Sequence, residues 1–257
     1  MQPEENGYKG PCPKCGSSDA NHHYPDGQTH CFSCDHHTFP KGLNNMSTIP
    51  LVNNNNSFKN NVSGEYNDIP DRKITKDTAK KYNTLTKKQG SMTTHHIYQY
   101  FDKNGNHISN KVRDTANKRF WSEGPMTSAG LFGENIFTQK GKYITVCEGE
   151  VDAMSAYQMM GSKWPCVSLK NGAASAASNC KQSFEYLNQF DNVVLCFDND
   201  KAGRQAANDV AAIFEPNKCK IMSLDLKDAN EYLKIGKSED FMKTWWAAKP
   251  FTPAGII

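Results

Sequence analysis

The chain has 257 residues, a formal net charge of +3 and 22% charged residues, with a mean hydropathy of -0.73. That length allows one substantial domain and a smaller one. The composition excludes a membrane span, since no run approaches the roughly eighteen apolar residues it needs, and the acid-bearing start Met1-Gln2-Pro3-Glu4-Glu5 speaks against a secretory leader.

Residues 1–43 are rich in Cys, His and Gly, and two pairs, Cys12-Pro13-Lys14-Cys15 and Cys31-Phe32-Ser33-Cys34, form a C-x₂-C, x₁₅, C-x₂-C pattern. Each pair presents two thiolates to one ion, and two pairs complete the tetrahedral sulfur shell of a structural zinc site. The intervening residues, with the Asp26-Gly27 turn, suit a small β-ribbon. So short a module has almost no core, so the metal must supply much of its folding energy. A disulfide framework is the competing reading. The five other cysteines (Cys147, Cys166, Cys180, Cys196, Cys219) are scattered through apolar runs, and the odd total suits reduced thiols in a cytoplasmic setting. His22, His23, His30, His36 and His37 crowd the ribbon; with four cysteines sufficient, they are expected to be exposed rather than ligating.

Residues 44–68 are rich in Asn, have little apolar periodicity and read as a flexible tether. From Ile69 onward the chain is expected to be globular. Residues 71–120 carry twelve Lys and Arg against four Asp, a local +8 that leaves -5 for the rest. A basic stretch ahead of an acidic one suits gripping phosphates beside a carboxylate cluster, although a solvated basic face has the same composition. Thr93 to Phe101 and His107 to Val112 read as strands around a turn with Asn104-Gly105, a hairpin signal.

After Gly141 strands alternate with helices. Strands are predicted over Lys142–Cys147, Trp164–Ser168, Asn192–Phe197 and Lys218–Leu224. Helices are predicted over Val151–Met160, Ala173–Phe190 and Ala202–Phe214, with two short ones to follow. Continuous apolar strands alternating with helices predict a parallel sheet covered on both faces. The expected fold class is therefore α/β, with a small α+β basic subdomain (69–140) before a parallel-sheet subdomain (141–257).

Two of those strands end in acids. Glu148-Gly149-Glu150-Val151-Asp152 follows the first, and Asp198-Asn199-Asp200 follows the third. Open α/β sheets place ligands beyond strand C-termini. Gly149 permits a turn that aims Glu148 at the sheet edge, and Asp198 and Asp200, two apart, can share one rim. Hard oxygens from separate strand ends suit Mg²⁺. The bland alternative is helix capping, which Asp and Glu favour in first turns.

At these residues the sequence resembles the Toprim fold, marked by a Glu after one strand and an Asp-x-Asp after a later one. The order zinc ribbon, tether, basic subdomain and Toprim is similar to the primase half of the T-odd phage primase–helicases. Further matching strings are Lys111-Val112-Arg113, Leu131-Phe132-Gly133, Val167-Ser168-Leu169 with Gly172-Ala173-Ala174-Ser175, and Lys227-Asp228-Ala229-Asn230. The resemblance implies RNA primer synthesis from ribonucleoside triphosphates on a single-stranded DNA template, with one structural Zn²⁺ and catalytic Mg²⁺. It implies that Glu148, Asp198 and Asp200 organise magnesium, with Asp152 and Asp228 in support, and that Lys111 and Lys118 handle nucleotide phosphates and the primer end. Arg113, Lys227 and Asp228 are implied as substrate-binding neighbours. A replicative helicase and a DNA polymerase are the implied partners, with no membrane, in the cytoplasm of a phage-infected bacterium. Lys170-Asn171-Gly172 departs from a more glycine-rich family pattern and leaves that loop's geometry open.

Rival readings are a Toprim nuclease, which shares the carboxylates, and a non-catalytic recombination mediator, for which the residues ahead of Cys12 leave no room for a helix-hairpin-helix. A topoisomerase would need a second large domain for its tyrosine. No Walker A string occurs, so the chain carries no helicase motor.

Overall fold

The computed structural model describes residues 7–24, 27–31, 36–38 and 63–252. The chain divides into two compact units, residues 1–55 and 56–257. The first is a four-stranded antiparallel ribbon in chain order: β1 (Tyr8–Gly10), β2 (Asn21–His23), β3 (Thr29–Cys31) and β4 (His37–Thr38). Among its described residues only Gly10, Cys12, Asn21 and Cys31 are buried. Strands this short with so little apolar cover cannot stabilise one another. Most of the predicted tether, residues 44–62, lies outside the described residues. Its last part does not hang free, because Glu65 exchanges both main-chain hydrogen bonds with Thr86 at 2.8 and 3.0 Å.

The second unit opens with α1 (Lys76–Lys81), capped by Thr75, and a four-stranded antiparallel meander: β5 (Thr84–Gln89), β6 (Met92–Phe101), β7 (His107–Asp114) and β8 (Phe120–Glu123). The predicted hairpin is β6–β7; Asp102 closes its turn by accepting from the N–H groups of Asn104 and Asn106, both at 2.9 Å. Strand β5 and helix α1 carry no apolar alternation. The buried positions of β5 are Thr84 and Thr86, so its inward face reads as polar.

The parallel sheet follows. Its elements are β9 (Tyr143–Cys147), α2 (Glu150–Met159), β10 (Cys166–Ser168), α3 (Ala176–Gln182), α4 (Phe184–Leu187) and β11 (Asn192–Cys196). Then come α5 (Lys201–Ala211), β12 (Cys219–Ile221), α6 (Ala229–Lys234), α7 (Ser238–Trp246) and β13 (Lys249–Pro250). Strand order is β10-β9-β11-β12-β13, parallel except for the antiparallel edge β13. Alternate residues face opposite sides. Ile144, Val146, Val193 and Leu195 pack with α3, α4 and α5, while Cys147, Val194 and Cys196 pack with α2, α6 and α7. The second cluster continues into Tyr98, Tyr100 and Phe132 of the antiparallel half, so one core unites the two sheets.

One predicted helix is broken. Residues 173–190 form a 3₁₀ turn and two short helices, because Ser183 leaves helical geometry and donates its hydroxyl to Glu134 at 2.7 Å. Among the described residues no helix is long and apolar enough to cross a membrane.

Candidate active site

Strand β9 lies between β10 and β11, so crossovers run to both sides of it. The crevice where the strand order reverses opens at the C-terminal ends of β9 and β11. Glu148 follows β9 there and Asp198 follows β11. A cleft of about 430 Å³ occupies this place, walled on one side by carboxylates of the parallel half and on the other by basic residues of the meander.

Glu148 is half-buried and accepts long hydrogen bonds from the N–H groups of Ala173 and Asp198, at 3.3 and 3.4 Å. Gly172, at φ 71°, brings the Ala173 N–H to it, which gives the Lys170-Asn171-Gly172 loop a defined geometry. Lys170 is buried and turns away, donating to the Ala129 carbonyl at 2.8 Å and Gln182 at 2.6 Å. Asp198 Oδ2 lies 2.6 Å from Lys227 Nζ, which also reaches Asp228 at 3.1 Å. The Asn199 N–H donates to the Lys227 carbonyl at 2.7 Å, binding these two loops together. Asp228 caps α6 through the Glu231 N–H at 2.9 Å, and Asp152 accepts from the Asn230 N–H at 3.1 Å.

Burial, and then the negative charge of Asp198, pushes Glu148 above the usual carboxylate range. Burial raises Asp198 as well, against the pull of Lys227. Burial, then Asp228 and Asp198, drives Asp152 well up. Carboxylates crowded in this way are short of positive charge, and Lys227 is one ammonium shared between two of them. These hard oxygens are of the type a divalent ion takes, although among the described residues no three of the carboxylates lie within 4.8 Å of one another.

Across the cleft, Lys111 Nζ is held by Glu150 at 2.7 Å and by the Lys170 carbonyl at 2.7 Å. Glu150, only 5% exposed, also accepts the Tyr100 hydroxyl at 2.6 Å. Arg113 lines the same wall; its Nε is buried and finds no acceptor among the described residues. Arg72 joins them, donating to Asn230 Oδ1 at 3.3 Å.

Seven of the sequence-derived residues therefore meet at one cleft: Glu148, Asp198, Asp152, Asp228, Lys227, Lys111 and Arg113. Two do not line it. Asp200 is exposed and spends one oxygen capping α5, on the Gly203 N–H at 2.8 Å, as the capping alternative expects. Lys118 is exposed in the β7–β8 turn, in a left-handed conformation at φ 54°. Sequence reasoning missed Glu150, Arg72 and Phe120. Glu150 was visible inside its motif, and Phe120 follows two basic residues; Arg72 offered no local signal.

In the ribbon, the sulfur atoms of Cys12, Cys15 and Cys31 all lie within 4.8 Å of one another, a cluster of the kind that holds zinc. Cys34 lies outside the described residues. Burial pushes the Cys12 thiol up, but the N–H groups of Cys15 and Lys14 and the neighbouring sulfurs outweigh it and bring it to about 6. His22, His23, His30 and His36 are half-buried rather than exposed, and Tyr8 lies flat on His23 with ring centroids 4.5 Å apart. Among the described residues no histidine joins the sulfur cluster.

Comparison with known proteins gives two family matches: a Toprim-like profile over residues 145–233, and the N-terminal α+β fold of the bacteriophage T7 DNA helicase/primase over residues 64–124. The DNA helicase/primase of enterobacteria phage T3 is 34% identical over 97% of this chain and 45% of its own length. The chain thus spans about half the length of that curated relative. Among solved structures, the primase fragment of the bacteriophage T7 primase-helicase is 34% identical, with a TM-score of 0.66 over 93% of this chain and 99% of that one. T7 primase domains solved with the T7 lagging-strand DNA polymerase, an RNA/DNA hybrid and dTTP are 35% identical, with a TM-score of 0.67 over 73% of this chain and 94% of that one.

Proposed function

The chain belongs to the primase family of the T7-like phage helicase/primases, and on that premise we propose that it synthesises short RNA primers on a single-stranded DNA template. The observation that carries this reading is the cleft at the strand switch point, where Glu148, Asp198, Asp152 and Asp228 face Lys111, Arg113 and Arg72. Nucleotidyl transfer needs both walls: one to gather divalent cations, the other to hold polyphosphate.

Glu148, Asp198 and Asp228 would hold Mg²⁺, with Asp152 supporting them through the Asn230 main chain. Asp200 would contribute its second oxygen from the rim. When bound, the ions would supply Lewis-acid stabilisation of the developing 3′-alkoxide and of the pyrophosphate leaving group. Lys111 and Arg113 would grip the triphosphate, and Arg72 and Lys227 would neutralise charge at the cleft ends. Lys118, on its exposed turn, would meet nucleic acid outside the cleft. The 3′-hydroxyl of one ribonucleotide attacks the α-phosphorus of the next, and pyrophosphate leaves.

Cys34 would complete a four-sulfur zinc shell with Cys12, Cys15 and Cys31, and the ribbon, on the tether expected from the sequence, would read the template. A tethered reader works at high local concentration. The T7 relative solved with its DNA polymerase and the helicase/primase name of the T3 relative support a polymerase and a helicase as partners. A phage-infected bacterial cytoplasm is the setting this implies.

Incubation with labelled ribonucleotides, Mg²⁺ and a pool of single-stranded templates tests the reading. Short RNAs should appear, vanish with the double change Asp198→Ala, Asp200→Ala, and lose template preference with Cys31→Ser. Folded, zinc-loaded protein that degrades the templates instead would make it a nuclease. DNA binding with neither chemistry would make it a mediator.

A further inference from the structure

Phe120 is 53% exposed yet lines the cleft. A lone exposed apolar side chain needs no explanation, but this one has company. Register pairs Phe120 with Arg113, so both side chains stand on one face of the meander, together with Lys111 two residues away on β7. The Arg113 guanidinium lies 5.8 Å from the ring centroid and the Lys111 ammonium 5.2 Å. Trp121, the next residue, stands on the opposite face, edge-on to His95. Phe120 therefore belongs to the cleft wall and not to a core.

An open aromatic ring fixed beside two cations combines the two features that single-stranded nucleic acids and nucleotides require, a π surface for a base and positive charge for its phosphates. Lys111 is already anchored to Glu150 and Lys170, so the ring is not needed to hold it. Arg113 finds no acceptor for its buried Nε among the described residues, and its side chain lines the cleft.

We propose that Phe120 is the stacking platform for a nucleobase bound in the cleft, with Arg113 alongside it on the phosphate side. The inference rests on the primase reading of the cleft and adds a base subsite to it. The base belongs either to an incoming ribonucleotide or to the template strand, and both present the same flat π face.

The test compares Phe120→Leu, which keeps apolar bulk but removes the π face, with Phe120→Trp, which enlarges it. Binding is measured for a ribonucleoside triphosphate against a ribose triphosphate lacking its base. It is also measured for single-stranded DNA with and without one abasic position scanned along it. Phe120→Leu should weaken the base-bearing ligand by roughly 5- to 150-fold and leave the base-free one unchanged; Phe120→Trp should bind the base-bearing ligand more tightly than wild type does. A loss confined to nucleotides assigns the base to the incoming substrate, and a loss confined to DNA assigns it to the template. Equal loss for base-bearing and base-free ligands would reduce Phe120 to a prop for its cations and overturn the proposal, as would no loss at all. Should Phe120→Leu fail to fold, Phe120→Trp still decides, since it must tighten binding of base-bearing ligands alone. A wild-type protein that discriminates bases in these assays but makes no RNA would sink the primase reading and leave the stacking intact.

Discussion

At the scale of single residues, buried polar groups show how the basic wall is held. Glu150 is enclosed and keeps its place by accepting from both Tyr100 and Lys111, satisfying a carboxylate that would otherwise be costly to bury. His96 is a different case. It is fully buried, meets the Tyr98 hydroxyl at 3.3 Å through one nitrogen, and leaves the other without a hydrogen-bond partner among the described residues, 4.0 Å from Asp71. Burial, helped by Arg113 and Arg72 and opposed by Asp71, lowers it from 6.5 to about 4. A histidine depressed in the folded state stays neutral there while the unfolded chain takes up a proton. Its contribution is present above about 6.5 and is lost as pH falls toward about 4, on the order of 3 kcal/mol in all. Urea unfolding at pH 7.5 and pH 5 should show wild type losing more stability on acidification than His96→Gln; equal losses would put the proton elsewhere.

At the scale of elements, the site depends on how helices meet strand ends. Helix α5 starts so close to the end of β11 that a Cβ on Gly203 would collide with the Asp198 carbonyl oxygen. Gly to Ala inside a helix ordinarily stabilises by about 1 kcal/mol. Here the collision should reverse that sign, and the shift it forces falls on the loop carrying Asp198. Gly203→Ala should lower the thermal midpoint and cut primer synthesis by about 100-fold, the cost of misplacing a reacting group by about an ångström. A stabilised, active variant would mean that α5 can slide. The same junction explains Asp200: a residue opening a helix is claimed first by the orphan N–H groups of that helix.

For the whole molecule, two units draw on different sources of stability. The unit of residues 56–257 has a continuous core, whereas the described part of the ribbon buries little beyond Cys12 and Cys31. Chelation should remove one zinc per chain and collapse the amide resonances of residues 7–38, leaving the melting of the larger unit in place. Ribbon resonances that survive chelation would show that the strands hold without metal. Much of this organisation was readable along the chain, because local rules write it there. Cysteine spacing marks a zinc site, Asn104-Gly105 marks the β6–β7 turn, and apolar runs ending in Glu148 and Asp198 mark strand ends at a sheet rim. Strand β5 was missed because its inward face is threonine. Tertiary structure alone decided which side chains face one another across the cleft. Arg72 and Asn230 meet across 158 positions, Phe120 stands beside Arg113 through strand register, and Lys111 finds Glu150 on another sheet's helix. Periodicity records whether a residue is buried; it carries no record of which distant segment buries it, since that depends on strand order and on how two sheets pack.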